Sequence, residues 1–439
     1  MLCLRVECRG VQPGNDPLLE EKGGQMGEQR RAQRRDAGGV EAEIQDYLSA
    51  LRQRRRLFPR AILVGLLAGG VAVAFRWVLE GGDALRDWLI AWAHQHPVWG
   101  WILPIVVGAL GASVAVSLVR FQAPEAAGSG IPHLKAVLAR LRPLRWQTVL
   151  PVKFLGGGLG IGAGLALGRE GPTVQMGGAI GAAVSQWLDV TPRERMSLIA
   201  AGAGAGLASA FNAPLAGLIF VLEELQRHFA PSVFGAAFVA SLIADVMTRS
   251  LTNQLPVFHV ESVPAQPLGA LPFFLALGLL AGLLGIVFNR SLLRSVVGFA
   301  WLSSTCQRLG RWAPGLVAAG VGAVVGAVGW WVPQALGGGQ HLVEAVLRGR
   351  VELAFIPLWF LLRFGLTMGS YGCGAPGGIF APLLVLGALL GLGVGQLAHM
   401  WMPGTIEHPG AFAVVGMAAY FAAIVRAPLT GIVLIIEMT

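Results

Sequence analysis

Three glycine-rich turns carry the chemistry that this sequence offers: GSGIP at 128–132, GREGP at 168–172 and GGIFAP at 377–382. Each sets proline at or near the first turn of a following helix, where a missing N–H costs nothing. The glycines let backbone N–H groups converge without side-chain obstruction. Unpaired N–H groups and the positive end of a helix together make an anion site. A site built from such partial charges can release a small anion, whereas a full Lys or Arg would hold it too tightly for passage. Within the second turn stands Glu170, a carboxylate between two long apolar runs. Ionised, it is itself an anion beside anion-binding dipoles and competes with the ligand. Protonated, it no longer competes, so that movements of anion and proton become linked. The plainer alternative is an ion pair with Arg169, but adjacent residues on a helix point in different directions.

The elements that position these turns are membrane helices. Of the 439 residues 54% are hydrophobic and only 13% charged, and the mean hydropathy is +0.63. Soluble domains carry roughly a quarter charged residues. Apolar runs near the length that spans a bilayer, about 20 residues, begin near Ala61, Trp99, Leu198, Phe234, Leu271, Pro314, Ile379 and Ala411. The fold class is therefore an all-α polytopic membrane protein, located in the cell membrane, where buried carboxylates are costly and by default functional. Sixty-two glycines and 25 prolines predict close-packed, broken and tilted helices, tolerated only where the freed backbone faces protein or a wet cavity.

Residues 1–60 differ: they form a basic and polar tail, with a helix expected near 41–56. No apolar segment with a cleavage site indicates a signal peptide. Arg52, Arg54, Arg55, Arg56 and Arg60 abut the first span and place the N-terminus in the cytoplasm by the positive-inside rule. The net charge of +9 suits topology and lipid headgroups rather than nucleic acid. Cys3, Cys8, Cys306 and Cys373 have no metal-ligand spacing, so neither zinc nor disulfides are indicated.

The chain contains an internal repeat. GAGAGLASAFNAPLAGLIFVLEE (202–224) aligns with GMAAYFAAIVRAPLTGIVLIIEM (416–438) at an offset of 214, matching Ala213-Pro214-Leu215 to Ala427-Pro428-Leu429 and Glu223 to Glu437. Upstream, at an offset of 210, Pro172, Gly177 and Gly181 match Pro382, Gly387 and Gly391. GSGIPHL (128–134) more faintly matches GGGQHL (337–342). Duplicated membrane halves are a transporter architecture, with substrate bound between them at interrupted helices. The halves are expected at 61–255 and 256–439, joined through the polar stretch 252–267. Glu223, with a counterpart in Glu437, suits a shared structural task such as tying down backbone N–H groups. Glu224 faces Met438 in the repeat, so that acid is peculiar to the first half.

GSGIPHLKAVL, LPVKFLGGGLGIGAGLALGREGPTVQMGG, FNAPLAGLIFVLEE, GAPGGIFAPLLVLGALLG and VRAPLTGIVLIIEMT together resemble the CLC family of chloride channels and proton/chloride exchangers, in the family's order and over about residues 60–439. The resemblance implies an inverted repeat, a homodimer with one pathway per subunit, and chloride and protons as transported species without a cofactor. It places a chloride-contacting hydroxyl at Ser129, with Gly130 and Ile131 beside it, and serine there favours chloride over nitrate. It makes Glu170 the gating glutamate and Gly378, Ile379 and Phe380 the lining of the central anion site. It makes Glu224 the internal proton-transfer acid of exchangers, where channels usually have an uncharged residue. His133 and Lys135 stand where some bacterial exchangers carry acids, and Lys153 is expected in a structural ion pair. The family's second half continues through two more helices, the last with an anion-coordinating tyrosine. Tyr47, Tyr371 and Tyr420 do not sit in that motif, so the role has no residue here, and a subunit that does not transport becomes an alternative.

The leading expectation is thus proton-coupled chloride antiport, with a passive chloride channel as the runner-up. A different class, an intramembrane hydrolase, would use Ser129 and His133, four residues apart and so able to share a helical face. Pro132 and the glycine turn stand against it.

Overall fold

The structure is a computed structural model. It describes residues 17–96, 98–227, 230–252, 257–258, 266–404 and 406–439, with side chains from Arg56 onward except at 232 and 307–309. Cys3 and Cys8 lie outside the described residues, and Cys306 and Cys373 are free thiols. The chain divides into a unit ending at Arg56, helical from Pro17, and a membrane body Leu57–Thr439.

Fifteen α-helices occur among the described residues. The first half holds α1 (Pro17–His94), α2 (Ile102–Gln122), α3 (Ile131–Leu138), α4 (Trp146–Gly162), α5 (Glu170–Trp187), α6 (Pro192–Phe211), α7 (Pro214–Phe220) and α8 (Pro231–Leu251). The second holds α9 (Leu271–Thr305), α10 (Ala313–Trp331), α11 (Gln340–Leu347), α12 (Ile356–Gly372), α13 (Phe380–Trp401), α14 (Gly410–Val425) and α15 (Pro428–Met438). The helix foreseen near 41–56 is therefore only part of α1. Among the described residues, seven segments are long and apolar enough to cross a membrane, so this is a multi-pass membrane protein. One of them, Leu353–Gly372, was not foreseen, because Arg363 interrupts its apolar run.

The duplication is visible in how the chain turns. Asn212 and Arg426 both take left-handed backbone, φ 53° and 62°, and each is followed by Ala-Pro opening the next helix. Gly130 and Gly339, φ 79° and 80°, cap α3 and α11 alike. Helix α6 starts with a capping box in which Thr191 and Glu194 satisfy each other's backbone N–H groups.

Helix pairs α5/α6 and α13/α14 pack through glycine. A Cβ on Gly177 would lie 2.1 Å from the Gly202 carbonyl oxygen, and one on Gly391 would lie 2.0 Å from that of Phe412. Without side chains at these points the backbones touch, which is how helices gain packing energy where no hydrophobic force acts between them. The halves meet in the same way. A Cβ on Gly108 would strike the Gly322 carbonyl, and one on Gly326 that of Pro104. These contacts run α2 and α10 antiparallel. Because the two are equivalent helices of the repeat, the halves are inverted in the membrane.

Glu223 and Glu437 lock this inversion. Glu223 accepts the N–H groups of Leu429 (3.1 Å) and Thr430 (2.7 Å) at the start of α15, together with the Thr430 hydroxyl. Glu437 accepts those of Leu215 (3.1 Å) and Ala216 (2.7 Å) at the start of α7. Each acid caps a helix of the other half, where negative charge also complements the helix dipole.

Candidate anion and proton site

The three turns converge. Gly168 and Gly378 exchange backbone hydrogen bonds of 2.8 and 2.7 Å, and the Gly377 N–H donates to the Gly128 carbonyl at 3.1 Å. A Cβ on Gly171 would lie 2.9 Å from the Cα atoms of both Ser129 and Gly378. Ser129, Gly130, Ile131, Glu170, Gly378, Ile379 and Phe380 thus stand in one place, contributed by α3, α5 and α13.

Glu170 is fully buried. Its Oε1 accepts the Ala381 N–H at 3.1 Å, and the amides of Phe380 and of Glu170 itself point toward the carboxylate. The sequence suggested that the acid sits at the start of its own helix, α5. The structure places the carboxylate on the start of α13, in the other half, because inversion brings the two helix ends face to face. Arg169 does not neutralise it: its Nε donates to the Ala210 carbonyl at 3.2 Å.

Two cavities approach this point and share no lining residue. One, of about 410 Å³, reaches Glu170, Arg169 and Ala381 past Asp83, Arg86 and His341. The other, of about 550 Å³, reaches Ser129, Ile131, Ile379 and Phe380, with Lys135 and Glu224 on its wall. Gly130 and Gly378 line neither and shape the backbone between. The Phe380 ring is wedged edge-on between Phe220 and Phe421, 6.1 and 4.7 Å between centroids, which fixes the start of α13. Tyr371 also lines the second cavity, a hydroxyl that no motif pointed to.

Glu223 and Glu224 lie in a π-helical turn, Val221–Gln226. Such wider turns recur at functional sites. Here the turn lets neighbouring acids face different ways, Glu223 to α15 and Glu224 to Lys135, whose Nζ is 2.5 Å from Glu224 Oε1.

Among the described residues, Lys153 has no ion-pair partner, unlike the expectation. Fully buried, it donates to the carbonyls of Ala126 (2.8 Å) and Gly128 (2.6 Å), holding the turn before α3. Arg363 does the same in the other half, donating to Ala335 (2.6 Å) and Gly337 (3.0 Å). The buried cations are met by carbonyl dipoles, so no carboxylate is needed to offset them. Lys153→Met orphans two buried carbonyls, each worth about 1–3 kcal/mol. A matching drop in the thermal stability of the detergent-solubilised protein is the expected result.

His133 offers no base to Ser129. Its ring nitrogens meet the Pro143 carbonyl at 3.3 Å and the Gln175 amide at 3.1 Å, while Ser129 Oγ accepts the Ile131 N–H at 3.4 Å. The hydrolase pairing is therefore not formed.

Comparison with known proteins gives the chain's family. The family model described as "Voltage gated chloride channel" matches residues 110–439. The chain belongs to the voltage-gated chloride channel (CLC) family. It is 41% identical to the H(+)/Cl(-) exchange transporter ClcA of Vibrio vulnificus over 384 residues, covering 86% of this chain and 81% of that protein. It is 40% identical to the ClcA of Salmonella newport over 408 residues, covering 91% and 85%. Among solved structures, a slow cyanobacterial Cl-/H+ antiporter superposes with a TM-score of 0.82 at 34% identity, covering 88% of this chain and 89% of that one. Fold and relatives alike describe a CLC transporter rather than an enzyme.

Proposed function

We propose that this protein exchanges chloride for protons across the cell membrane, with Glu170 as the gate. The observation that carries the reading is the Glu170 carboxylate on the amides that open α13, beside two cavities that share no lining residue. Ionised, the carboxylate fills the place an anion would take. Protonated, it loses the charge that holds it there, and chloride can replace it. One proton and one anion then alternate at one set of dipoles, which couples their fluxes.

Ser129, Gly130 and Ile131 receive chloride from the second cavity, and Gly378, Ile379 and Phe380 present the amides that bind it centrally. Glu224, with its side chain only 10% exposed, passes protons between that cavity and Glu170. The basic residues before the first span place the N-terminus on the cytoplasmic side. This chemistry needs no cofactor. The exposed apolar residues Leu429, Ile432 and Ile436 on α15 and Leu242 and Val246 on α8 face lipid and a second copy in a homodimer.

In liposomes, a chloride gradient is expected to drive protons uphill through the full chain. Glu224→Gln is expected to stop that proton movement while chloride still crosses. If the unaltered protein moves chloride and no protons, it is a passive channel.

A further inference from the structure

Lys135 is the cation that meets Glu224 on the proposed proton path, and its position raises the question of what the ammonium does there. It stands five residues into α3 on the wall of the Ser129 cavity. It also lines a second space of about 600 Å³, with Arg140, Arg193 and Gln226 on the wall. Its ammonium lies against Glu224 with 32% of the Lys135 side chain exposed, against 10% for Glu224. The cation is therefore partly wet, while the acid is nearly enclosed. Glu223, the other acid of the π-helical turn, is bound to the start of α15 and offers Lys135 no alternative. Among the described residues, the second cavity holds no further charged residue on its wall: Asn289 and Tyr371 are its other polar side chains apart from Ser129.

We infer that Lys135 is a positioning residue that turns the charge of Glu224 into chloride affinity at the Ser129 cavity. With Glu224 ionised, the pair is neutral and chloride feels little of either group. When Glu224 takes a proton, the ammonium is left unmatched in the cavity through which chloride arrives, and it draws the anion in. Loading of proton and chloride thus becomes cooperative without any contact between chloride and Glu224. Breaking a largely buried pair by removing one partner exposes the field of the other, so the two groups are expected to act in opposite directions. The inference rests on the proposed role of Glu224 in proton transfer.

The test is a double-mutant cycle on the full chain in liposomes, reading the apparent KM for chloride beside proton coupling. One unit charge at about 10 Å in a half-wet cavity changes anion affinity about fourfold. Glu224→Gln, which frees the ammonium, is expected to lower the KM about fourfold. Lys135→Met, which leaves the carboxylate alone, is expected to raise it about fourfold. The double variant returns near the parent value, and Lys135→Arg, which keeps the pair, stays there. An equal KM in all four variants overturns the inference, as does a change confined to maximal flux, which would mark Lys135 as structural. If Lys135→Met does not fold, the comparison of parent with Glu224→Gln decides alone: an unchanged KM overturns the proposal. Proton coupling that survives in Glu224→Gln instead sinks the proton-transfer role of Glu224, whatever the KM does.

Discussion

Glu170→Gln is expected to abolish proton-coupled movement and to leave a chloride flux that, at saturating chloride, no longer varies with pH. The amide keeps the size of the carboxylate and can still reach the Ala381 N–H with its oxygen, so the turn between Gly168 and Gly378 is preserved. What it loses is charge. The parent side chain competes with chloride for the amides at the start of α13 only while ionised, so flux through the parent should rise as pH falls on the Glu170 side. Glutamine mimics the protonated acid at every pH, and at saturating chloride, where a change in chloride affinity does not show, the profile should be flat. It also has no proton to give, so a chloride gradient should drive no proton movement. The measurement is chloride efflux and proton uptake in liposomes across a pH series. A variant that still pumps protons would remove Glu170 from the mechanism.

The second large effect is structural. Gly177→Val places a branched side chain where even a Cβ would lie 2.1 Å from the Gly202 carbonyl oxygen. The obstacle is backbone on a buried helix, and no side chain can rotate away. Overpacking typically costs about 1–3 kcal/mol. Here α5 and α6 must separate along their contact, which also shifts Glu170 at the head of α5, so the upper end or beyond is expected. The variant should yield little monodisperse protein after detergent extraction. Gly278→Ala is the control: nothing lies within 4 Å of its added methyl group, and Ala is the better helix former by about 1 kcal/mol. Equal behaviour of the two variants would contradict close backbone packing of α5 on α6.

Much of this arrangement was legible before the structure. The Ala-Pro-Leu repeat marked two places where the chain makes the same left-handed turn into a helix, at Asn212 and Arg426. The matched Glu223 and Glu437 pointed to shared backbone binding, and each acid does bind a pair of N–H groups. The Gly-Pro turns pointed to helix starts that gather amides, and three of them meet. Long-range pairing was not legible. Lys135 and Glu224 are 89 residues apart, and no local pattern sets which cation an acid will find. Which helix end takes the Glu170 carboxylate depends on inversion, a property of the whole membrane body. Arg363 hid within an apolar run, although an offset of 210 aligns Lys153-Phe154 with Arg363-Phe364 and could have revealed a second buried cation with the same task.

The reciprocal caps of Glu223 and Glu437 bear on the independence of the halves. Neither carboxylate can reach the helix that needs it within its own repeat. A first half made alone would leave the Leu215 and Ala216 amides without their acceptor and Glu223 as a charge with nothing to bind. The chain therefore behaves as two interdependent pieces, each completing its partner, and severed halves should regain structure only when mixed. The same logic reaches back to a time before duplication. A single ancestral half could satisfy its own glutamate only by meeting a second copy upside down in the same membrane, so insertion in both orientations would have been a condition of its folding.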